Sequence, residues 1–153
     1  MTCTFHSDLA SSHQAIEGAR RELLTVVDGV SRAGMEHARK GGWTVRRVLD
    51  HVIHSEHLYG QAIAYLASAE VPARPSETSP ASAAQARMML LDTRTATLKA
   101  LKELDLDPRA YETFYELRKV GHEEYSVLSV LENIANHDRE HAEQIRNILA
   151  ADD

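Results

Sequence analysis

The sequence predicts an all-α protein, a four-helix bundle with a long connection between helices three and four. Three observations support that class. Four segments of about six turns each carry apolar residues in alternating steps of four and three. Breaker-rich stretches separate them: Gly41-Gly42, the Pro/Ser-rich Val71 to Pro80, and Asp105-Leu106-Asp107-Pro108. The 153 residues, 43% apolar and 26% charged, suit one soluble domain with a single core, and no internal repeat divides them.

The first helix is predicted from near Ser7 to about Val30. Ile16, Leu23, Val27 and Val30 recur at helical spacing, and Leu24 and Val26 widen the face. Asp28-Gly29 and the polar stretch Ser31 to Lys40 then read as a loop. Thr44 is a natural N-cap for the second helix. Its row Val45, Leu49, Val52, Glu56, Tyr59, Ile63 and Leu66 is the seam of a helix packed along its length. Glu56 stands in that core row. A carboxylate there either snorkels to water or is paired, hydrogen-bonded or close to a cation.

The third helix is predicted from about Ala81 to Leu104, with Ala84, Met88, Leu91, Leu98 and Leu101 on its face. Met88 and Met89 read as core filler rather than a soft-metal site. The connection from Arg109 to Tyr125 holds Tyr111, Phe114, Tyr115 and Tyr125, with a turn signal at Gly121-His122. These aromatics either wall a functional pocket or cap the bundle end. Ser126 can N-cap the last helix. Its row runs Val127, Leu131, Ile134, Asp138, His141, Ile145 and Ile148, so Asp138 mirrors Glu56 as an acid in a core row. Two such acids, each beside histidines, read as a polar centre.

Composition narrows the function. A net charge of -6 and a pI near 5.8 argue against a nucleic-acid groove or an anionic membrane surface. No apolar run is long enough to span a bilayer. The stretch Met1 to His6 lacks the basic and apolar regions of a signal peptide. Cys3 is the lone cysteine, so no internal disulfide forms, and a reducing, cytoplasmic setting is expected.

The histidines carry the chemistry. His137 and His141 are four apart on one helix, so their imidazoles stand on the same face and can share a cation. A third donor must come from elsewhere, and the second helix offers His51, His54 and His57. His51 lies about 110 degrees from the centre of the apolar row and is the best placed to reach a neighbour. His54 and His57 read as solvated surface residues. Three neutral imidazoles with an open position suit zinc, nickel or ferrous iron, and an open site polarises a bound water, thiol or carbonyl.

Two stretches resemble the DinB/YfiT-like family of metalloenzymes. Trp43-Thr44-Val45-Arg46-Arg47-Val48-Leu49-Asp50-His51-Val52 resembles the family's tryptophan, Ser/Thr and helix ending in a histidine. Ala135-Asn136-His137-Asp138-Arg139-Glu140-His141-Ala142-Glu143-Gln144-Ile145 resembles its late HxxxH helix followed by Gln-Ile. The resemblance spans nearly the whole chain. It implies a four-helix bundle holding one divalent metal, usually nickel or zinc, through His51, His137 and His141. Characterised relatives are thiol S-transferases using bacillithiol or mycothiol-dependent isomerases, so the expected partners are a small-molecule thiol and an electrophile. The mycothiol enzymes often carry an additional domain that this chain lacks, so no particular thiol is inferred. Glu56 and Asp138 are then expected to orient the imidazoles or take a proton from a metal-bound nucleophile. Tyr111, Tyr115 and Arg118 are expected to wall the substrate pocket, and a homodimer through helix faces is an open expectation.

Competing readings are weaker. His137-Asp138-Arg139-Glu140-His141 fits the inverted HxxEH protease motif, but too little chain follows to supply that fold's third ligand. A di-iron bundle requires paired Glu-x-x-His motifs, which the sequence lacks. The remaining rival is a non-enzymatic binding or stress-response bundle, with or without metal.

Overall fold

Four long helices are set by local chemistry at their starts. In the computed structural model these are α1 (Thr2–Asp28), α3 (Val45–Leu66), α4 (Ala83–Asp105) and α6 (Val127–Ala150). Residues 2–74 and 78–151 are described. The side chain of Cys3 and residues 75–77 of the proline-rich loop, for which expectations were stated, lie outside the described residues. Thr44 Oγ1 accepts the Arg47 amide at 3.1 Å, and Ser82 Oγ accepts that of Gln85 at 3.2 Å. Ser126 and Ser129 cap α6 reciprocally, each hydroxyl accepting the other's amide. α1 begins five residues before the expected Ser7. Phe5 and Leu9 extend its apolar row and are buried, and that burial holds the first turns down.

The connections contain more structure than the sequence suggested. A short helix α2 (Arg32–Met35), capped by Ser31, occupies the expected first loop and buries Met35. The connection after α4 holds α5 (Ala110–Tyr115) and a hairpin of β1 (Arg118–Val120) and β2 (Glu123–Tyr125), with Arg118 opposite Tyr125. Gly121 supplies the positive φ of its turn, +68°. Three-residue strands are too short for a two-residue alternation to show in sequence.

The long helices pack in the ring order α1, α6, α3, α4: α1 lies against α6 and α4, and α3 lies against α4 and α6. Sequential neighbours α1 and α3 are therefore diagonal, as are α4 and α6. Their two connections cross the bundle ends, and simple up-down-up-down order is not used. Two apolar clusters fill the interior. One runs from Phe5 and Leu9 through Ile63, Leu101 and Phe114 to Leu131, and the other from Leu23 and Val27 through Leu49 and Ile53 to Ile145.

Two sequence expectations are corrected. On α4 only Leu101 of the expected face is buried. Ala84, Met88, Leu91 and Leu98 are exposed, and the buried row is Ala86, Leu90, Arg94, Thr97, Leu101 and Leu104. The true row is interrupted by polar residues, so the outer row gives the cleaner apolar signal. His57, expected in solvent, is buried. The aromatics of the long connection act as an end cap. Phe114 packs edge-on against Phe5 at 5.4 Å, and Tyr115 Oη donates to Asp8 at 2.5 Å.

Candidate metal centre and the ionic ring beneath it

The adjacency of α3 and α6 brings His51 to His137 and His141. His51 Nε2 lies 3.1 Å from His137 Nε2, and His141 Nε2 lies 3.0 Å from the same atom. The three donors are partly buried, all within 4.8 Å of one another, and form a group that can hold a metal ion among the described residues. A tetrahedral ion with nitrogen ligands at about 2.0–2.1 Å separates those nitrogens by about 3.3–3.4 Å. The two spacings from His137 Nε2 are within a few tenths of that value.

Proton accounting points the same way. His141 Nδ1 donates to Gln144 Oε1 at 2.7 Å, which fixes its tautomer and leaves a lone pair on Nε2. One proton on His137 Nε2 can satisfy one neighbour but not both. With protein groups alone, at least one of the two close nitrogen pairs lacks a satisfied donor–acceptor hydrogen bond. A cation between the three nitrogens removes that conflict. Burial, reinforced by His141 and His51, pushes the His137 imidazole down to about 4, and burial with His141 also lowers His51. Both rings are therefore neutral near pH 7, the form that ligates metal.

Aromatic rings bracket the trio. Trp43 packs edge-on against His51 with centroids 5.4 Å apart, and the Arg47 guanidinium lies 4.5 Å from the indole centroid. Tyr59 meets His137 edge-on at 5.8 Å. Burial, with the Glu140, Glu56 and Asp138 carboxylates, pushes its phenol up, so it stays protonated. A cleft of about 370 Å³ opens beside Trp43 and Gln144, rimmed by Arg39, Glu140, Glu143 and Asn147.

Glu56 and Asp138 are buried, as their core-row positions required, but their partners are arginines rather than imidazoles. Each long helix contributes one charge to a closed ring: Arg20 from α1, Glu56 from α3, Arg94 from α4 and Asp138 from α6. Arg20 Nε donates to Asp138 Oδ2 at 2.9 Å, and Arg94 Nη2 donates to the same oxygen at 3.2 Å. Arg94 Nε donates to Glu56 Oε1 at 2.5 Å, and Arg20 Nη2 lies 3.6 Å from Glu56 Oε2. Spare guanidinium protons go to the Leu90 and Ile16 carbonyls. Two positive and two negative charges cancel. Each carboxylate is hydrogen-bonded to guanidinium groups, and among the described residues no hydrogen bond joins either of them to an imidazole.

Among the described residues no ring contact, hydrogen bond or ion pair joins Tyr111, Tyr115 or Arg118, the expected substrate wall, to the trio. Tyr111 packs at a tilt against Tyr115 at the capped bundle end, with centroids 5.0 Å apart, and Arg118 pairs with Glu116. Among the described residues, Trp43, Tyr59 and Gln144 make ring or hydrogen-bond contacts with the trio. Sequence reasoning named the first and last only as parts of a motif and placed Tyr59 only in a core row. Arg20 and Arg94 were missed, although each stands in a four-three row: Ile16, Arg20, Leu23, Val27 and Leu90, Arg94, Thr97, Leu101.

Fold and site together define a four-helix bundle with a three-histidine centre capable of holding a metal ion. The chain belongs to the DinB superfamily, whose pattern matches residues 15–145. Two solved structures share the fold. A DinB-like protein from Bacillus cereus superposes with TM-score 0.70 at 15% identity, over 90% of this chain and 88% of that one. A protein described as a four-helix bundle superposes with TM-score 0.65 at 18% identity, over 91% and 98%. No curated protein matches the chain.

Proposed function

We propose that this DinB superfamily chain is a metal-dependent thiol S-transferase acting on small electrophiles. The observation that carries the reading is the convergence of three imidazole nitrogens around one point, with protons that cannot satisfy them all. His51, His137 and His141 would hold one divalent ion, zinc or nickel, with ferrous iron also compatible with imidazole donors. Three protein ligands are the pattern of catalytic rather than closed structural sites. The bound ion supplies Lewis acidity that lowers the pKa of a coordinated thiol and raises its thiolate fraction near pH 7.

The chain's own residues do the positioning. Gln144 locks His141 in the tautomer that presents Nε2 inward. Trp43 and Tyr59 shield the outer edges of His51 and His137 from water. The cleft beside Trp43 and Gln144 is lined by neighbours of His51 and His141 rather than by the imidazoles themselves, and its rim carries both charge signs. No described helix is long and apolar enough to cross a membrane, which is compatible with soluble substrates.

The test loads purified protein with zinc or nickel and screens cysteine, glutathione, bacillithiol and mycothiol against an activated aryl halide. Turnover with at least one thiol, lost in His137→Ala, supports the reading. Metal-loaded protein inert with every thiol would overturn it and leave a non-enzymatic binding protein.

A further inference from the structure

His57 is left unexplained by both the metal centre and the ionic ring. It is 9% exposed, and among the described residues no hydrogen bond reaches its buried Nε2. Buried polar atoms in folded proteins nearly always have a partner, so an orphan calls for a physical reason. Burial, with the Arg74 charge and then His54, pushes the imidazole below its ordinary range, so the ring is neutral near pH 7. A neutral imidazole offers one N–H and one lone pair.

The ring borders a cavity of about 260 Å³ between α3, α4 and the start of the proline-rich loop. α3 presents its α6 side to the trio and its α4 side to this cavity, so the two places share a helix but no residue. Gly60 lets the walls approach: a Cβ there would lie 3.1 Å from Thr97 Oγ1 and 3.8 Å from Pro72 Cγ. Two exposed charges edge the cavity, Arg74 from the loop and Asp92 from α4. Among the described residues neither makes a hydrogen bond or an ion pair, even with the other. The Thr93 hydroxyl donates to carbonyls of its own helix, Met89 or Leu90, each at 3.1 Å, and keeps its lone pairs as acceptors.

We infer that this cavity is a second binding site, and that its ligand is a small zwitterion with a carboxylate and an ammonium group, as in a free α-amino acid. The Arg74 guanidinium suits the carboxylate, and Asp92 with the Thr93 hydroxyl suits the ammonium. His57 supplies one more donor or acceptor from the buried wall. A plain anion meets repulsion from Asp92 and a plain cation from Arg74, so a ligand with both charges is favoured over either. Glu56 also borders the cavity, but Arg20 and Arg94 hold its carboxylate, and it adds no free charge. Pockets for drug-sized ligands span about 300–1,000 Å³, so a cavity just under that range suits a molecule of amino-acid size. The inference does not depend on the metal or on thiol transfer.

Calorimetric titration of the full chain with glycine, L-alanine and L-serine is the test. Propionate and ethylamine, which are alanine without its ammonium or its carboxylate, serve as controls. At least one amino acid should bind saturably with a dissociation constant of about 1 mM or tighter, and both controls roughly tenfold more weakly or worse. Arg74→Ala, Asp92→Asn and His57→Phe should each weaken binding by roughly tenfold or more. Arg74 and Asp92 are exposed and His57 Nε2 has no bond to lose, so these variants keep wild-type helicity by circular dichroism. Amino acids also chelate metals, so His141→Ala separates the two sites and should bind them as wild type does. The His57 ring-nitrogen NMR signals should move along the same titration. No saturable binding of any of the amino acids up to about 50 mM overturns the proposal. So do controls that bind equally well, binding that survives all three cavity variants, or binding lost in His141→Ala. His57 signals that stay still overturn it too, and leave a niche for water alone.

Discussion

Asp138→Asn is the sharpest probe of the ring. Asp138 accepts from Arg20 Nε at 2.9 Å, Arg20 Nη2 at 3.2 Å and Arg94 Nη2 at 3.2 Å. All four ring side chains are at most 8% exposed, so screening by solvent is weak. The substitution keeps the shape but removes one negative charge, leaving two guanidinium groups against one carboxylate. It also turns one acceptor oxygen into an amide that faces donors. Breaking a buried pair costs about 3–5 kcal/mol, and the retained amide oxygen places this case near the lower end, about 3 kcal/mol. For a chain of this size each kcal/mol moves Tm by about 2–4 °C, so a fall of about 6–12 °C is expected. Urea unfolding followed at 222 nm should show the midpoint drop with an unchanged slope. Replacing all four residues together with Met and Leu should recover much of the loss, because an apolar core of similar volume has no stranded charge. A loss below about 1 kcal/mol in Asp138→Asn would refute the claim that this carboxylate balances the two arginines.

Three further outcomes follow from the geometry. Gln144→Ala removes the acceptor that fixes the His141 tautomer and should weaken metal affinity about 10–100-fold, with unchanged helicity, as read by competition with a chelator. In metal-free protein, His137 takes a proton only near 4, whereas the unfolded chain takes it near 6.5. The unfolded state thus binds more protons between those values, so its contribution to stability is full above pH 6.5 and is lost as pH falls toward 4. Urea midpoints across that range should fall with acidity, less steeply in His137→Gln. Thr44→Ala deletes the α3 cap and should cost about 1 kcal/mol in thermal unfolding, a change that Thr44→Ser restores.

Much of the fold was readable because three helices carry clean apolar rows and two of them start at the caps Thr44 and Ser126, whereas α1 starts at Thr2, ahead of the expected Ser7. The third failed for a physical reason. The buried face of α4 contains Thr93, Arg94 and Thr97, so its inner row is less apolar than its outer one, and periodicity alone selects the wrong side. The same feature hid half of the ring. Two acids in core rows were noticed, and each demands a cation. Arg20 and Arg94 occupy the matching places in the other two rows, which reading each helix separately does not reveal. The histidine trio was legible from the i, i+4 pair and a helical wheel, because those depend on one helix at a time. The neighbours of the trio were not, since which residues meet α3 and α6 depends on the ring order of the helices. That order puts Tyr111 and Tyr115 at the capped end and Trp43 and Tyr59 against the imidazoles.

Elemental mass spectrometry on untagged protein, wild type beside His51→Ala and His141→Ala, tests the central claim most directly. The account predicts near-stoichiometric zinc, nickel or iron in the wild type and loss of metal from both variants, with helicity retained in each. Wild-type protein that takes up no metal even after reconstitution, or a His141→Ala variant that keeps a full equivalent, would contradict it.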